Sequence, residues 1–343
     1  MTELMHILDT AVNAVIPVVL LVLLGYCLRR VGFLTEEFAR VGNKVSFNVA
    51  LPCMLFINVY SIESFDEIRW DAVIYCVAML LIIFILGLVV AMATTSVPER
   101  RGVILQATFR SNNAIVGLSL ASVLGGEEAV AVAAIVSAFG VPVMNILAVL
   151  SLTIFVENGE GHKFDIRGVL KKIARNPLII AICLGMVCLL IRGVQRKYLG
   201  EVVFALNKQL KFLYNTLNNI KSMASPFALI VLGAQFNFAS SKGMLREIVV
   251  GCVCRVVIAP LAAIGMAVVL SEFTPLLNFG VNEYPSLVGL FGTPAAVSSA
   301  IMAGQMKNDQ QLATQLVVWT SIASIFTMFL TVCLLMAGGF LAA

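Results

Sequence analysis

The sequence predicts an all-α polytopic membrane protein of ten spanning helices, arranged as two five-helix halves of opposite orientation. Three observations carry this. Of 343 residues, 60% are hydrophobic and only 12% are charged, against about 25% charged in soluble domains. Ten stretches are apolar and long enough to cross a bilayer, which takes about 20 residues each. Polar or helix-breaking interruptions fall at matching places in the two halves.

The spans in order are Val12–Leu28, Ala39–Tyr60, Ala72–Thr95, Gly102–Leu124, Ala129–Val156, Pro177–Ile191, Lys211–Phe236, Ile248–Leu270, Ser286–Met306 and Leu312–Ala337. The first reads as a retained helix and not a removed signal, because Glu3 and Asp9 replace a basic leader and no small-residue cleavage site follows. The second, fourth, seventh and ninth are the most polar. Cytoplasmic loops carry an excess of lysine and arginine. Loops one, three, five, seven and nine hold fourteen such residues, including Arg29, Arg100, Lys171, Arg175 and Lys307, against seven on the other side. The first set is therefore expected in the cytoplasm and both termini outside, in a cell inner membrane. Loop six breaks the bias. Its stretch Leu199–Tyr214 mixes Val203, Phe204 and Leu210 with Lys208 and Lys211 and is expected to form an interfacial amphipathic helix.

The longest hydrophilic gap, 157–176, falls halfway. It divides the chain into residues 1–156 and 177–343, with five spans each, and an odd number per half forces the second half to be inverted. The breaks pair: Pro52 in span two with Pro226 in span seven, and Arg110-Ser-Asn112 in span four with Gly292-Thr-Pro294 in span nine. Inverted repeats with paired interrupted helices place a transport site at the midplane.

Chemistry concentrates at those breaks. Arg110, Ser111, Asn112 and Asn113 lie in the middle of span four, where a cation and amides are costly and mark functional positions by default. Ser and Asn compete with the helix backbone for hydrogen bonds, and Pro294 after Thr293 removes a donor, so both spans are expected to unwind. Irregular backbone survives at membrane depth only inside protein or along a wet cavity. Each break creates a half-helix N-terminus with partial positive charge, and Arg110 adds a planar fork suited to a carboxylate. The arrangement suits an anion. Asn145, after Pro142 in span five, and Asn48 in span two are further candidates; an amide there serves either a cavity or helix–helix adhesion. Arg255 in span eight serves packing or function equally. The fourteen methionines read as apolar filling.

Some classes are not indicated. No nucleophile–base pair or metal-ligand cluster appears, so no enzyme, cofactor or metal site is expected. The charge of +4 is spread over loops and points to no nucleic-acid partner. The eight cysteines sit inside apolar segments as small hydrophobes. No Asp or Glu lies well inside a span. Coupling to protons or sodium is open, and any cation would be bound by carbonyls and Ser, Thr or Asn oxygens.

The run Ala107-Thr-Phe-Arg-Ser-Asn-Asn-Ala-Ile-Val-Gly117, followed by Pro142-Val-Met-Asn145, resembles the auxin efflux carrier family in its bacterial branch, which is related to the plant PIN auxin transporters. The resemblance spans the whole chain. It implies inverted repeats like those of sodium–proton antiporters and bile-acid symporters, with spans four and nine broken and crossing. It implies a scaffold of spans one, two, six and seven, often a homodimer interface, and a transport domain of spans three to five and eight to ten moving as an elevator. Carried onto this chain, Ser111, Asn112, Asn113, Thr293 and Pro294 form the crossover and Asn145 faces the substrate. Plant members have a proline where Ser111 stands, and their long central loop is absent. The bacterial branch implies a permease for malate, malonate or a similar small organic acid. A sodium-coupled organic-anion symporter of the bile-acid type and an anion channel are the alternatives.

Overall fold

The chain was analysed as a computed structural model, which describes residues 16–17, 20–61, 69–113, 117–156, 171, 174–236 and 243–341. Among these it is all helical apart from loops and one isolated antiparallel β-bridge. The start of the expected first span lies outside the described residues; its visible part, α1, covers 20–30. Then follow α2 (Glu36–Val45) and α3 (Leu51–Tyr60), joined by a π-helical turn at Ser46–Ala50. Next come α4 (Trp70–Thr94), α5 (Pro98–Phe109) and α6 (Leu118–Ile154). The second half holds α7 (Pro177–Leu199), α8 (Leu206–Gln209) and α9 (Lys211–Gln235). It continues with α10 (Leu245–Val253), a π turn at Cys254–Ile258 and α11 (Ala259–Phe273). Last are α12 (Tyr284–Leu287) with its π turn Val288–Gly292, α13 (Val297–Gln305) and α14 (Gln310–Ala337).

Among the described residues, five helical stretches are long and apolar enough to cross a membrane by themselves: Trp70–Thr94, Glu128–Ile154, Pro177–Leu199, Leu245–Phe273 and Gln310–Ala337. The chain is a multi-pass membrane protein. The expected fourth and ninth spans are broken at their polar residues and proline, and the second and eighth are π-bulged; the break expected at Pro226 in span seven is absent, since α9 runs unbroken through it. The fourth and fifth expected spans are split where Gly126 adopts φ 64°, ψ −153°, a conformation open to glycine and costly for other residues.

Packing falls into two sets. α2, α3, α7 and α9 pack on one another, and α4, α5, α6 and α10 to α14 do the same. In the first set α1 and α9 approach closely at glycines: a Cβ on Gly25 would lie 2.1 Å from the Ile230 carbonyl, and one on Gly233 2.0 Å from that of Val22. The second set holds the two partly buried ion-pair networks, while the exposed pairs Arg29–Glu36 and Glu37–Arg40 lie at α1 and α2. Arg100 binds Glu247 at 2.9 Å and Asp309 at 3.0 Å, tying the starts of α5, α10 and α14. At the other end Arg69 pairs with Asp71 and with the buried Glu283.

The helix expected over Leu199–Tyr214 is not a single element. Gly200 ends α7 with φ 78°, only the turn Leu206–Gln209 is helical, and Leu210 breaks again before α9. The cause is local competition. The Gln195 side chain accepts from Phe204 N–H (2.7 Å) and donates to its carbonyl (3.2 Å), while Gln209 accepts from Ala205 N–H (2.7 Å). These bonds satisfy an extended backbone that a continuous helix would otherwise have to satisfy itself.

Candidate functional site

α5 has 12 residues, or roughly 18 Å of rise, which brings its end near the middle of a hydrocarbon core about 30 Å thick. There Arg110 turns to φ −84°, ψ 108°. In the second half, Thr293 turns extended after the π turn Val288–Gly292. The two breaks meet. Ser111 and Ala295 form the antiparallel bridge. Asn112 N–H donates to the Pro294 carbonyl at 2.8 Å, and Ala296 N–H donates to that of Arg110 at 3.3 Å. Ala295 N–H is taken by Thr320 Oγ1 of α14 at 3.1 Å. Both chains can unwind at this depth because each satisfies the backbone of the other.

Arg110 is buried. One terminal nitrogen donates to Asn145 Oδ1 (2.7 Å) and to Ser298 Oγ (2.9 Å), and the other lies against Met302 Sδ. No carboxylate is paired with it among the described residues. Asn145 is oriented by a bond from its amide to the Val141 carbonyl (2.8 Å), the one position along α6 where Pro142 and Asn145 combine. Arg110, Ser111, Asn112, Met144 and Asn145 line a cavity of about 50 Å³ together with Ala296 to Ser298. Its opposite wall comes from the other packing set: Leu51, Met54, Leu55 and Asn58 of α3, Leu178 of α7, and Ser225 and Ala228 of α9. A water needs about 10–15 Å³ by this measure, so the space suits a few atoms, about a carboxylate and its neighbour. Two further features favour an anion. The α13 N-terminus opens on the cavity through Val297 and Ser298. Asn112 Nδ2 is a buried amide donor with no hydrogen-bond partner among the described residues.

The expected site residues separate into two groups. Arg110, Ser111, Asn112 and Asn145 come together on the cavity. Asn113, Thr293, Pro294 and Asn48 are not among its lining residues. Asn113 donates to Ser137 Oγ at 2.6 Å, binding the break to α6. Thr293 Oγ1 returns to the Gly289 carbonyl at 2.9 Å, and Pro294 contributes the carbonyl that accepts Asn112. Asn48 is exposed on the π turn, and its amide donates to the Lys44 carbonyl at 2.9 Å; the bulge rotates it away and Asn58 supplies the amide of that span. Asn58, Ser225 and Ser298 were legible only as intramembrane polar residues. Methionine is more than filling here: Met302 contacts the guanidinium and Met144 Sδ lies 3.6 Å from Ser111 Oγ.

Arg255 resolves as a brace. It is fully buried in its π turn. It donates to the Thr108 carbonyl (3.3 Å) at the end of α5, to Thr293 (3.0 Å) and Leu290 (3.3 Å), and to Phe291. One cation thus covers the orphan carbonyls at the C-terminal ends of both half-helices, where a positive charge is favoured.

This fold and cavity define a class, the helical membrane transporters with an interrupted-helix crossover. The sequence matches the family model described as membrane transport protein over residues 10–332, and the chain belongs to that family, the auxin efflux carriers. It is 25% identical over 323 residues to an uncharacterized transporter of Methanothermobacter thermautotrophicus, covering 92% of this chain and 95% of the relative. It is 24% identical over 324 residues to an uncharacterized transporter of Methanocaldococcus jannaschii, covering 93% and 96%.

Proposed function

We propose that the chain is a secondary-active carrier of a small organic anion, a mono- or dicarboxylate such as malate or malonate, bound at Arg110, Asn112, Asn145 and Ser298. The observation that carries this reading is the buried Arg110 guanidinium, which has neutral partners only and faces a cavity between two packing sets. A charge of that kind is costly without a counter-ion, and an arriving carboxylate would provide one in bidentate geometry. No enzymatic role is part of the reading.

The same reading takes residues 1–156 and 177–343 as inverted repeats joined by 157–176. It takes spans one, two, six and seven as a scaffold, in a homodimer, and spans three to five and eight to ten as the moving elevator. The division of packing contacts, with both ion-pair networks inside one set, supports it. The membrane is the cell inner membrane with both termini outside, in keeping with the lysine and arginine bias.

The test is carboxylate counterflow in proteoliposomes. Arg110→Ala should lower kcat/KM by roughly 30-fold or more, the equivalent of about 2 kcal/mol for a lost charge-assisted fork. Arg110→Lys should recover part of it. Unchanged flux in Arg110→Ala would remove the site, sodium-dependent uptake would convert the reading to a symporter, and absence of saturable counterflow would favour a channel.

A further inference from the structure

A second cavity lies on the face that carries Lys171 and Arg175. Its volume is about 590 Å³, within the usual range for ligand pockets. Among the described residues its charged lining is Lys171, Arg175 and Lys307, with Thr153, Asn176 and Gln305 and no acid. All three cations are exposed, and none enters an ion pair among the described residues. The full segment 157–176 is also net basic, with five Lys or Arg against three Asp or Glu.

Lys307 ends α13 as its left-handed C′ residue (φ 60°), with the Asn308 N–H donating back to the Ala303 carbonyl at 2.8 Å in a Schellman closure. The Asn308 side-chain amide fixes this turn to α6, donating to the Leu152 carbonyl at 2.8 Å and to that of Met306 at 2.9 Å. The cavity is lined from helices that also line the central one. Its Pro177 precedes the central site's Leu178, its Phe47 lies one helical turn from Leu51, and its Leu152 two turns from Asn145.

We propose that this cavity is a capture vestibule, in which Lys171, Arg175 and Lys307 collect the organic anion before it reaches Arg110. The inference rests on the carrier reading and deepens it. Unpaired cations in a concave, low-dielectric wall focus the field and raise the local concentration of anions. The attraction acts over about 8 Å at physiological ionic strength and is screened by added salt.

Its test does not need transport. In Gln305→Cys, the new thiol should react several-fold faster with an anionic methanethiosulfonate than with a cationic one of similar size. The unsubstituted protein is the blank for the native thiols. The preference should collapse in high salt and on adding Lys171→Gln, Arg175→Gln and Lys307→Gln. Lys307→Gly with Arg175→Gln is the second variant, since glycine accepts the backbone there and folding is spared. Malonate should slow the reaction with native charges and not in the neutralised variants. A preference that survives neutralisation overturns the proposal. So does protection by anionic phospholipid in nanodiscs without protection by malonate, which would make this a headgroup site. The failures are separable: Arg110→Ala that transports normally removes the central site while leaving this thiol's preference readable.

Discussion

At the scale of single residues, Asn112 and Arg255 make opposite demands. Asn112 keeps a buried donor unpaired, a cost of about 1–3 kcal/mol for such a group. Asn112→Ala should therefore leave the thermal midpoint unchanged or slightly raised, while carboxylate transport falls about tenfold, the worth of one hydrogen bond to a charged ligand. A parallel loss of both would make Asn112 structural. Arg255 works the other way. Arg255→Met strands four carbonyls, each worth about 1–3 kcal/mol when left buried and unpaired, and should lower the midpoint by about 5 °C or more. Scanning fluorimetry in detergent reads both, and a midpoint unmoved by Arg255→Met would contradict the brace. The sequence marked Asn112 as a site candidate and left Arg255 open between packing and function. It could not say that one faces a cavity and the other faces helix ends, because that depends on where a second, distant break lies.

At the scale of elements, the two half-helices cross at glycine. A Cβ on Gly289 would sit 3.0 Å from the Gly117 Cα and 3.1 Å from Asn113 Oδ1. Backbone on one side cannot give way as a side-chain tip can, so Gly289→Ala should cost about 1–3 kcal/mol by overpacking. Gly265→Ala in α11, where nothing lies within 4 Å, is the control and should be neutral or stabilising by its helix propensity. Equal midpoints for the two variants would show that the crossing tolerates a methyl group. The breaks at Arg110–Asn112 and Thr293–Pro294 were legible, since consecutive Ser and Asn residues and a proline conflict with a helix; the one expected at Pro226 was not found, because α9 accommodates that proline without unwinding. The π turns at Ser46–Ala50 and Cys254–Ile258 were not. Their residues carry no breaker before Pro52 and Pro260, and one additional residue per turn leaves the hydropathy pattern intact. That one residue displaced Asn48 from the cavity.

For the whole molecule, the two packing sets meet at the central cavity and at a polar contact around Gln235. Gln235 ends α9; its carbonyl accepts from Gln311 at 3.0 Å, its side chain from Gln310, and its amide donates to the Ala39 carbonyl at 2.9 Å. Such neutral bonds hold one arrangement without locking it, since each contributes only about 1 kcal/mol net. Gln235→Ala should speed hydrogen exchange at the start of α14 and shift the balance between conformations, with little loss of overall stability. Unaltered exchange at residues 310–320 would show that this contact does not hold the sets together. The ion pairs of Arg69 and Arg100 lie inside one set, and their removal should lower its stability without that shift. The division itself was invisible to hydropathy, which reports depth in a bilayer and not which helices pack together.

The stitch between Arg110–Asn112 and Pro294–Ala296 uses main-chain atoms. Its hydrogen bonds are therefore indifferent to which side chain stands at 295 or 296, proline excepted, because the N–H groups of 112, 295 and 296 are all engaged; both alanines are buried, so small residues are the ones that fit without overpacking. A library of Gly, Ser, Cys and Thr at Ala296, beside Val297, should yield mostly folded proteins with altered cargo. The crossover would then act as a replaceable cartridge, its chemistry open to laboratory selection while the frame around it is left alone.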